Sequence, residues 1–341
     1  MNTYDKNINN LFLYWLISCL VLVFLIIIVG GLTRLTNSGL SITEWELFKG
    51  IFPPINQNSW EIYFNEYKKI PQFKLLNYNM NIEEFKIIFY WEYFHRILAR
   101  LIGLFFLIPF IFFYFSRKIE KKYINICYTI FLLIILQGFI GWYMVKSGLI
   151  NDITVSHYRL SVHLTVAIII ISTLYWLIKN IVQKEKKKFF NFTKKNIPFL
   201  FLILLIFLQI IFGAFVSGLD AGRIYQTWPL MGFSYFPDDI ELKSIKSVVN
   251  FNSHSLVQFY HRNLAYLITA YIFVLSIYIY KKKLNNLFKP LKLLIYFLIV
   301  QIFLGILTLI SGLNIFLASA HQICSVILVF TAINLYYFQT K

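Results

Sequence analysis

The sequence EYFHRILA at residues 92–99 recurs in altered form as QFYHRNLA at residues 258–265. Both copies contain adjacent His and Arg residues, and an Ala follows the His by four positions at the head of a long apolar run. Self-similarity of this kind indicates an internal duplication. The sequence therefore predicts two related halves, each with a polar motif that opens an apolar helix.

A second repeated feature is a Gln followed by a Gly four residues later. It occurs in three apolar stretches, as Gln137 to Gly141, Gln209 to Gly213 and Gln301 to Gly305. These repeats strengthen the prediction of a duplicated chain.

Eight apolar stretches surround these motifs. Each has about 20 or more largely apolar residues, enough to cross a hydrocarbon core of about 30 Å. The predicted spans are residues 11–33, 88–115, 124–146, 157–179, 197–219, 255–280, 290–313 and 315–338. We expect an all-α integral membrane protein with eight transmembrane helices, arranged as two duplicated four-helix bundles with parallel pseudo-symmetry. The symmetry is parallel because four spans per half leave both copies in the same orientation.

The composition agrees with a membrane protein. Of the 341 residues, 59% are hydrophobic and only 14% are charged, whereas soluble domains have about 25% charged residues. A disordered chain, a disulfide scaffold and an ordinary soluble enzyme are excluded. The net charge of +17 is often typical of nucleic-acid binding. Here the basic residues lie in short runs between apolar stretches, so we predict membrane lipid and no nucleic acid as a partner.

The distribution of charge predicts the orientation. The side that holds both termini carries 18 of the 32 Lys and Arg residues, largely within 117–122, 179–195 and 281–292, against Asp5, Glu120 and Glu185. The positive-inside rule therefore places both termini in the cytoplasm. We expect an N-terminal half at residues 1–180, a basic cytoplasmic linker at 181–196 and a C-terminal half at 197–341. The long outer loops, 34–87 and 220–254, serve function or form a plug lying on the membrane; the sequence leaves both open.

Four of the six histidines lie within the predicted spans: His95, His163, His261 and His321. Ionisable groups inside a membrane are costly and tend to mark function. All four lie about 9–11 Å below the outer end of their span, on spans that run in the same direction. Two histidines in each half can therefore face each other at one level.

Facing imidazoles within a bundle are what a haem with two axial ligands requires. The simpler alternative is a hydrogen bond between helices from each His. A zinc or di-iron site needs more ligands. His157 and His254 lie at the outer edges of helices, and we interpret them as interfacial residues.

Arginines and one glutamate accompany these histidines. Cationic partners for haem propionates are predicted among Arg96, Arg100, Arg159, Arg223 and Arg262. Glu92 precedes His95 by three residues and shares its helix face, whereas Gln258 holds the corresponding position before His261. Since a carboxylate can act as a base and an amide cannot, this asymmetry predicts one reactive site and one electron-transfer site. The structural alternative is a Glu92–Arg96 ion pair.

The three cysteines, Cys19, Cys127 and Cys324, form no CxxC motif and lie within or at the start of spans. We interpret them as small apolar residues, and we expect neither a structural disulfide nor a redox dithiol on the outer face.

Together these motifs resemble those of the haem A synthase family. The resemblance covers residues from about 14 to 338. The motifs that carry it are Gly30 to Thr36, Ser38 to Trp45, Glu92 to Arg96, Ser161 to Leu164, Gly218 to Arg223, Thr227 to Met231, Gln258 to Arg262 and Ala320 to Gln322. The chain lacks the cysteine pair that some members carry in the first outer loop, and so resembles the branch without it.

The resemblance implies an oxidoreductase that oxidises the C8 methyl group of haem O to a formyl group, giving haem A for terminal oxidase assembly. It implies haem b between His261 and His321, substrate haem O between His95 and His163, and a part for Glu92 in the chemistry. It further implies haem O synthase as donor, the terminal oxidase assembly as acceptor, and a cell (inner) membrane location with the haem sites toward the outer side. A homo-oligomer is left open.

Two other functions compete with this one. A dihaem b-type membrane cytochrome would transfer electrons without modifying haem, and the Glu92/Gln258 asymmetry counts weakly against it. A transporter would suit eight spans in two repeats, but the sequence has no pair of Pro/Gly-broken helices at matching positions. The roles of Glu44 and Asp220, as loop anchors or proton relays, stay open.

Overall fold

A computed structural model describes residues 3–44, 49–151, 153–241 and 244–340. Its α-helices are α1 (Thr3–Leu35), α2 (Gln57–Tyr67), α3 (Pro71–Leu75), α4 (Ile82–Phe115), α5 (Lys121–Asn151), α6 (His157–Val182), α7 (Ile197–Gly218), α8 (Ile245–Val248), α9 (His254–Lys281), α10 (Phe288–Ile310) and α11 (Ile315–Gln339). Across the described ranges there is no β-strand, only an isolated bridge between Met231 and Ser234.

Eight of these helices, α1, α4, α5, α6, α7, α9, α10 and α11, are long and apolar enough to cross a membrane. The prediction of an all-α, multi-pass membrane protein with eight spans is therefore confirmed. The arrangement of those spans as two duplicated bundles stays a prediction.

Helix α4 begins at Ile82, so the predicted start at residue 88 was wrong. The cause is a capping box. The Asn81 side chain accepts hydrogen bonds from the backbone N–H groups of Glu83 and Glu84, and the Glu84 carboxylate accepts one from Asn81 N. Such a cap satisfies the free N–H groups of a first helical turn. The added residues, 82–87, include three charged ones and extend the helix beyond the predicted apolar span toward the outer loop.

The first outer loop has a hydrophobic core of its own. Trp60, Phe64 and Tyr67 on α2 are buried against Phe85 and Phe89 on α4. The Trp60 and Phe89 ring centroids are 5.0 Å apart, and those of Tyr67 and Phe85 are 5.1 Å apart. Full burial of one large apolar side chain contributes about 1.5–3 kcal/mol. This core fixes the loop on the outer end of α4.

A hydrogen-bonded network lies beneath that core. The fully buried Tyr67 donates its hydroxyl to Gln72 Oε1 at 3.0 Å, and Asn77 Nδ2 donates to the Tyr67 hydroxyl at 2.7 Å. Gln72 Nε2 in turn donates to the Asn37 carbonyl at 3.1 Å. Burial raises the pKa of Tyr67 to about 12. The phenol therefore stays protonated and ties α2 to the segment that follows α1.

Replacing Tyr67 by Phe should destabilise this loop. The variant leaves the buried Gln72 oxygen and the Asn77 amide without their partner, at a cost of about 1–3 kcal/mol. Thermal unfolding in detergent measures the effect. Tyr78→Phe, at a residue 66% exposed, is the control and should change stability by less than about 0.5 kcal/mol. Equal effects of the two substitutions would contradict the network.

The chain divides into two compact units, residues 1–178 and 179–341. In the first unit α4 packs against α1 and α5, and in the second α7 packs against α9 and α11, while α10 packs against α11. The basic segment 181–196 folds back on the second unit: Asn180 Nδ2 donates to the Lys187 carbonyl and Lys187 Nζ donates to the Tyr337 carbonyl, both at 3.1 Å. The assignment of a function to each half stays a prediction.

Candidate functional site

Each of the four spanning histidines lies against a glycine of a neighbouring helix. A Cβ atom on that glycine would come within about 3 Å of the imidazole Cε1 atom. The distances are 3.0 Å for Gly30 and His95, 3.1 Å for Gly141 and His163, 3.2 Å for Gly213 and His261, and 2.9 Å for Gly305 and His321. A side chain at any of these positions would therefore require the imidazole to shift, and glycine lets each ring lie this close to the neighbouring helix.

The first unit brings His95 on α4 and His163 on α6 together. Their ring centroids are 6.5 Å apart, and their planes meet at 63°. Two imidazoles that bind one metal ion from opposite sides have ring centroids about 6 Å apart. Each metal–nitrogen distance is about 2 Å, and each ring centre lies farther out than its nitrogen. The Nδ1 atoms of both rings are buried and have no hydrogen-bond partner within the described part of the chain. The spacing of the two rings, and the space that Gly30 and Gly141 leave for them, would suit two imidazoles that hold one haem iron.

The second unit holds His261 on α9 and His321 on α11. His261 lies against Gly213 of α7, and His321 lies against Gly305 of α10. The Nδ1 atom of His321 is 3.1 Å from the Gln301 carbonyl. When Nδ1 carries the proton and donates it there, Nε2 is left with the lone pair that a metal requires. This pair also fits a haem with two axial imidazoles.

Three glutamines that were not predicted as site residues contact these histidines. Gln137 Nε2 donates to the His163 carbonyl at 3.1 Å, and Gln209 Nε2 donates to the His261 carbonyl at 3.0 Å. Gln301 Nε2 is 3.3 Å from His321 Nε2. The repeated Gln-to-Gly spacing was the available signal. It served as a mark of duplication and was not connected with the histidines.

Glu92 is 2% exposed, and both of its carboxylate oxygens are engaged. Oε1 accepts from Arg96 Nη2 at 2.6 Å and from Arg96 Nε at 3.1 Å. Oε2 accepts from the Ser41 hydroxyl at 2.7 Å and from Ile42 N at 2.8 Å. The ion pair that the structural alternative required is thus formed, and the same carboxylate anchors the outer loop.

The corresponding positions of the second unit bind its own outer loop. Gln258 Nε2 and Arg262 Nη2 both donate to the Tyr225 carbonyl, at 2.8 Å and 3.0 Å. In the first unit Arg96 Nη2 donates to the Ile42 carbonyl at 3.0 Å. In both units, therefore, the residues on either side of the first His hold an outer loop. They are Glu92 and Arg96 in the first unit and Gln258 and Arg262 in the second.

The other predicted site residues lie near the outer ends of the spans. Arg100 is half-buried and, with Arg96 and Glu44, lines a small cavity under the first outer loop. The Arg159 guanidinium lies 5.4 Å from the centre of the Tyr143 ring. Arg223 is exposed in a short 3₁₀ turn.

The residues whose roles the sequence left open have these places. Glu44 and Arg96 also line an adjoining cavity of about 320 Å³, together with Trp142 and Lys146. Asp220 lies at φ 51° between α7 and a 3₁₀ turn. His157 and His254 are the first residues of α6 and α9, the former buried and the latter exposed.

The described ranges contain no cluster of three or more His, Cys, Asp or Glu residues that could hold a metal ion. The three cysteines are buried and form no disulfide among the described residues; their interpretation as small apolar residues stays a prediction. Paired imidazoles without carboxylate or thiolate ligands suit haem better than zinc or a di-iron centre.

These observations define a class: a helical membrane protein with two pairs of imidazoles within its spans. Residues 13–333 match the COX15-CtaA family model, described as cytochrome oxidase assembly protein, and the chain belongs to this family. A protein named "Heme A synthase" from Pelagibacter ubique (strain HTCC1062) is 50% identical over 313 residues, 92% of each chain. Proteins of the same name from Rickettsia bellii (strain OSU 85-389) and Wolbachia pipientis wMel are 40% and 41% identical, over 94% and 92% of this chain and 96% and 88% of theirs.

Replacing Ser41 by Ala should loosen the first outer loop at its inner margin. The variant removes one of two donors to Glu92 Oε2, and a hydrogen bond to a charged group contributes about 1.5–3 kcal/mol. Amide hydrogen exchange of the segment 38–44 should accelerate about tenfold or more. Ser147→Ala is the control, because that hydroxyl bonds only to carbonyls of its own helix. Unchanged exchange in the Ser41 variant would show that Glu92 does not anchor the loop.

Proposed function

We propose that the protein is a haem A synthase, an oxidoreductase that converts haem O into haem A for cytochrome oxidase assembly. The observation that carries the proposal is the His95–His163 pair beside Glu92, in a chain that is half identical to a heme A synthase along almost its full length. In this function the C8 methyl group of haem O becomes a formyl group.

We infer different tasks for the two units. His95 and His163 bind the substrate haem O, while His261 and His321 hold a resident haem b, which supplies one-electron transfer when bound. The difference between Glu92 and Gln258 supports this division, since only the first unit offers a carboxylate one turn before its first His. The proposed partners of the propionates are the cations near the outer ends of the spans: Arg96, Arg100, Arg159, Arg223 and Arg262.

Oxidation of a methyl group to a formyl group releases protons and electrons from one carbon. An adjacent proton acceptor can therefore assist the reaction as a general base. Glu92 lies three residues before His95 and therefore on the same helix face. To accept a proton, its carboxylate must give up one of the four hydrogen bonds that it accepts. The Ser41 hydroxyl is the donor that can turn away, because the Ile88 carbonyl lies 3.2 Å from the same Oγ atom. Glu92 is thus proposed as the catalytic carboxylate, with Ser41 as its adjustable partner.

The proposed setting is the cell (inner) membrane, with both termini in the cytoplasm and the imidazole pairs toward the outer side. The excess of Lys and Arg on the terminal side supports this orientation. Haem O synthase is the proposed donor of substrate, and the terminal oxidase assembly is the proposed acceptor of product. The basic cytoplasmic surface suits anionic membrane lipid.

A dihaem b-type cytochrome is the second candidate, and one observation favours it. Glu92 is fully hydrogen-bonded and paired with Arg96, which is also the state expected of a purely structural carboxylate. In that case both imidazole pairs would hold equivalent haems, and haem would leave the protein unmodified.

Haem extraction and mass analysis separate the two functions. We express wild type, Glu92→Gln and His261→Ala in a host that makes haem O but no haem A. Wild type should yield haem A, and Glu92→Gln should lower the yield about 100-fold or more while it retains haem b. His261→Ala should lose both haem b and haem A. The matched control is Glu83→Gln, at an exposed carboxylate on the same helix, which should behave as wild type.

Bound haem b without haem A, in wild type supplied with ample haem O, would contradict the synthase and favour the dihaem cytochrome. Full activity of Glu92→Gln would retain the synthase but remove Glu92 from its chemistry.

A further inference from the structure

Three of the four imidazoles are supported by an amide from the neighbouring helix. Gln137 Nε2 is 3.3 Å from His163 Nε2, Gln209 Nε2 is 3.2 Å from His261 Nδ1, and Gln301 Nε2 is 3.3 Å from His321 Nε2. Backbone contacts reinforce each of them, through the carbonyls of His163, His261 and Gln301. The same amide–imidazole contact therefore occurs three times in one chain.

The sequence spacing between each glutamine and its glycine is constant. Each stands four residues before the glycine against which its histidine lies, and residues four apart share one face of a helix. Glycine provides the space for the ring, and glutamine provides a polar contact one turn away. The fourth glycine, Gly30 beside His95, has Ile26 in the corresponding position. An isoleucine side chain has no hydrogen-bonding group, so it offers His95 no such support.

The glutamine oxygens show that these contacts have an energetic cost. The Oε1 atoms of Gln137, Gln209 and Gln301 are all buried without a hydrogen-bond partner in the described residues. An unsatisfied buried acceptor costs about 1–3 kcal/mol. A leucine would avoid that cost, so the amides are best explained by the contacts that a metal at Nε2 leaves intact. Gln137 and Gln209 donate to the carbonyls of His163 and His261, and the main-chain carbonyl of Gln301 accepts from His321 Nδ1.

We propose that Gln137 and Gln209, through their side chains, and Gln301, through its main-chain carbonyl, position the imidazoles of His163, His261 and His321, and that Ile26 leaves His95 as the releasable ligand. This inference rests on the proposed function. Groups that orient a metal-binding histidine change metal affinity about 10–100-fold. Two supported ligands in the second unit retain a resident haem. One supported and one unsupported ligand in the first unit bind a substrate haem and still let the product leave.

Haem transfer to apomyoglobin tests this division. Wild-type protein, purified from a host that makes haem O, should lose haem in two phases. His95→Ala should abolish the fast phase and His261→Ala the slow one, which assigns the phases to the two units. Gln209→Leu should accelerate the slow phase about tenfold or more. Ile26→Gln should slow the fast phase by a similar factor, while Ile26→Leu, its matched control, should leave the rate unchanged.

A spectroscopic readout distinguishes positioning from simple packing. Gln209→Leu should shift the ferric low-spin electron paramagnetic resonance signal of the slowly released haem, because the imidazole changes orientation. If Gln209→Leu lowers thermal stability while signal and release rate stay constant, the glutamines are structural and the inference is wrong. Should Ile26→Gln fail to fold, Gln137→Leu takes its place and should accelerate the fast phase.

Failure of the proposed function would look different. Wild-type protein without bound haem, or with a haem content that no His substitution alters, would overturn the ligand assignment itself. Two His-dependent phases that the Gln and Ile26 variants do not change would overturn only the present inference.

Discussion

The structure depends on the close contact between an imidazole and the backbone of a neighbouring helix. Four histidines lie within apolar spans, and each lies against a glycine that leaves space for the ring. The close approach fixes which helices must be adjacent: α1 with α4, α5 with α6, α7 with α9, and α10 with α11. A van der Waals contact thereby determines where two pairs of imidazoles form in a medium that disfavours polar groups.

The outer loops are attached to the same helices that carry the histidines. In the first unit Glu92 and Arg96 bind the segment around Ile42, and in the second Gln258 and Arg262 bind the carbonyl of Tyr225. Because these residues flank His95 and His261 in the sequence, the position of each outer loop is mechanically linked to the position of the histidine. The aromatic core around Trp60 gives the first loop a second attachment farther out on α4.

The sequence predicted much of this and missed the rest for identifiable reasons. Span number and type followed from hydropathy, and the His95–His163 approach followed from matched depth on parallel helices. The start of α4 was misplaced because the criterion was apolar length, whereas a cap at Asn81 lets the helix continue through polar residues. The partners of Glu92 could not be predicted, since Ser41 and Ile42 reach it from some 50 residues away through loop packing. The glutamine contacts depend on helix rotation, which periodicity alone does not fix.

The exchange of glutamate for glutamine between the units also changes the local charge. In the first unit the positive charge of Arg96 is balanced by Glu92 at 2.6 Å. In the second unit Arg262 faces the neutral Gln258, and no carboxylate among the described residues forms an ion pair with it. A half-buried, unbalanced guanidinium favours negative charge nearby, because screening is weak away from water. A redox group bound in the second unit, as proposed, would therefore be shifted toward its reduced state relative to the same group beside a balanced pair.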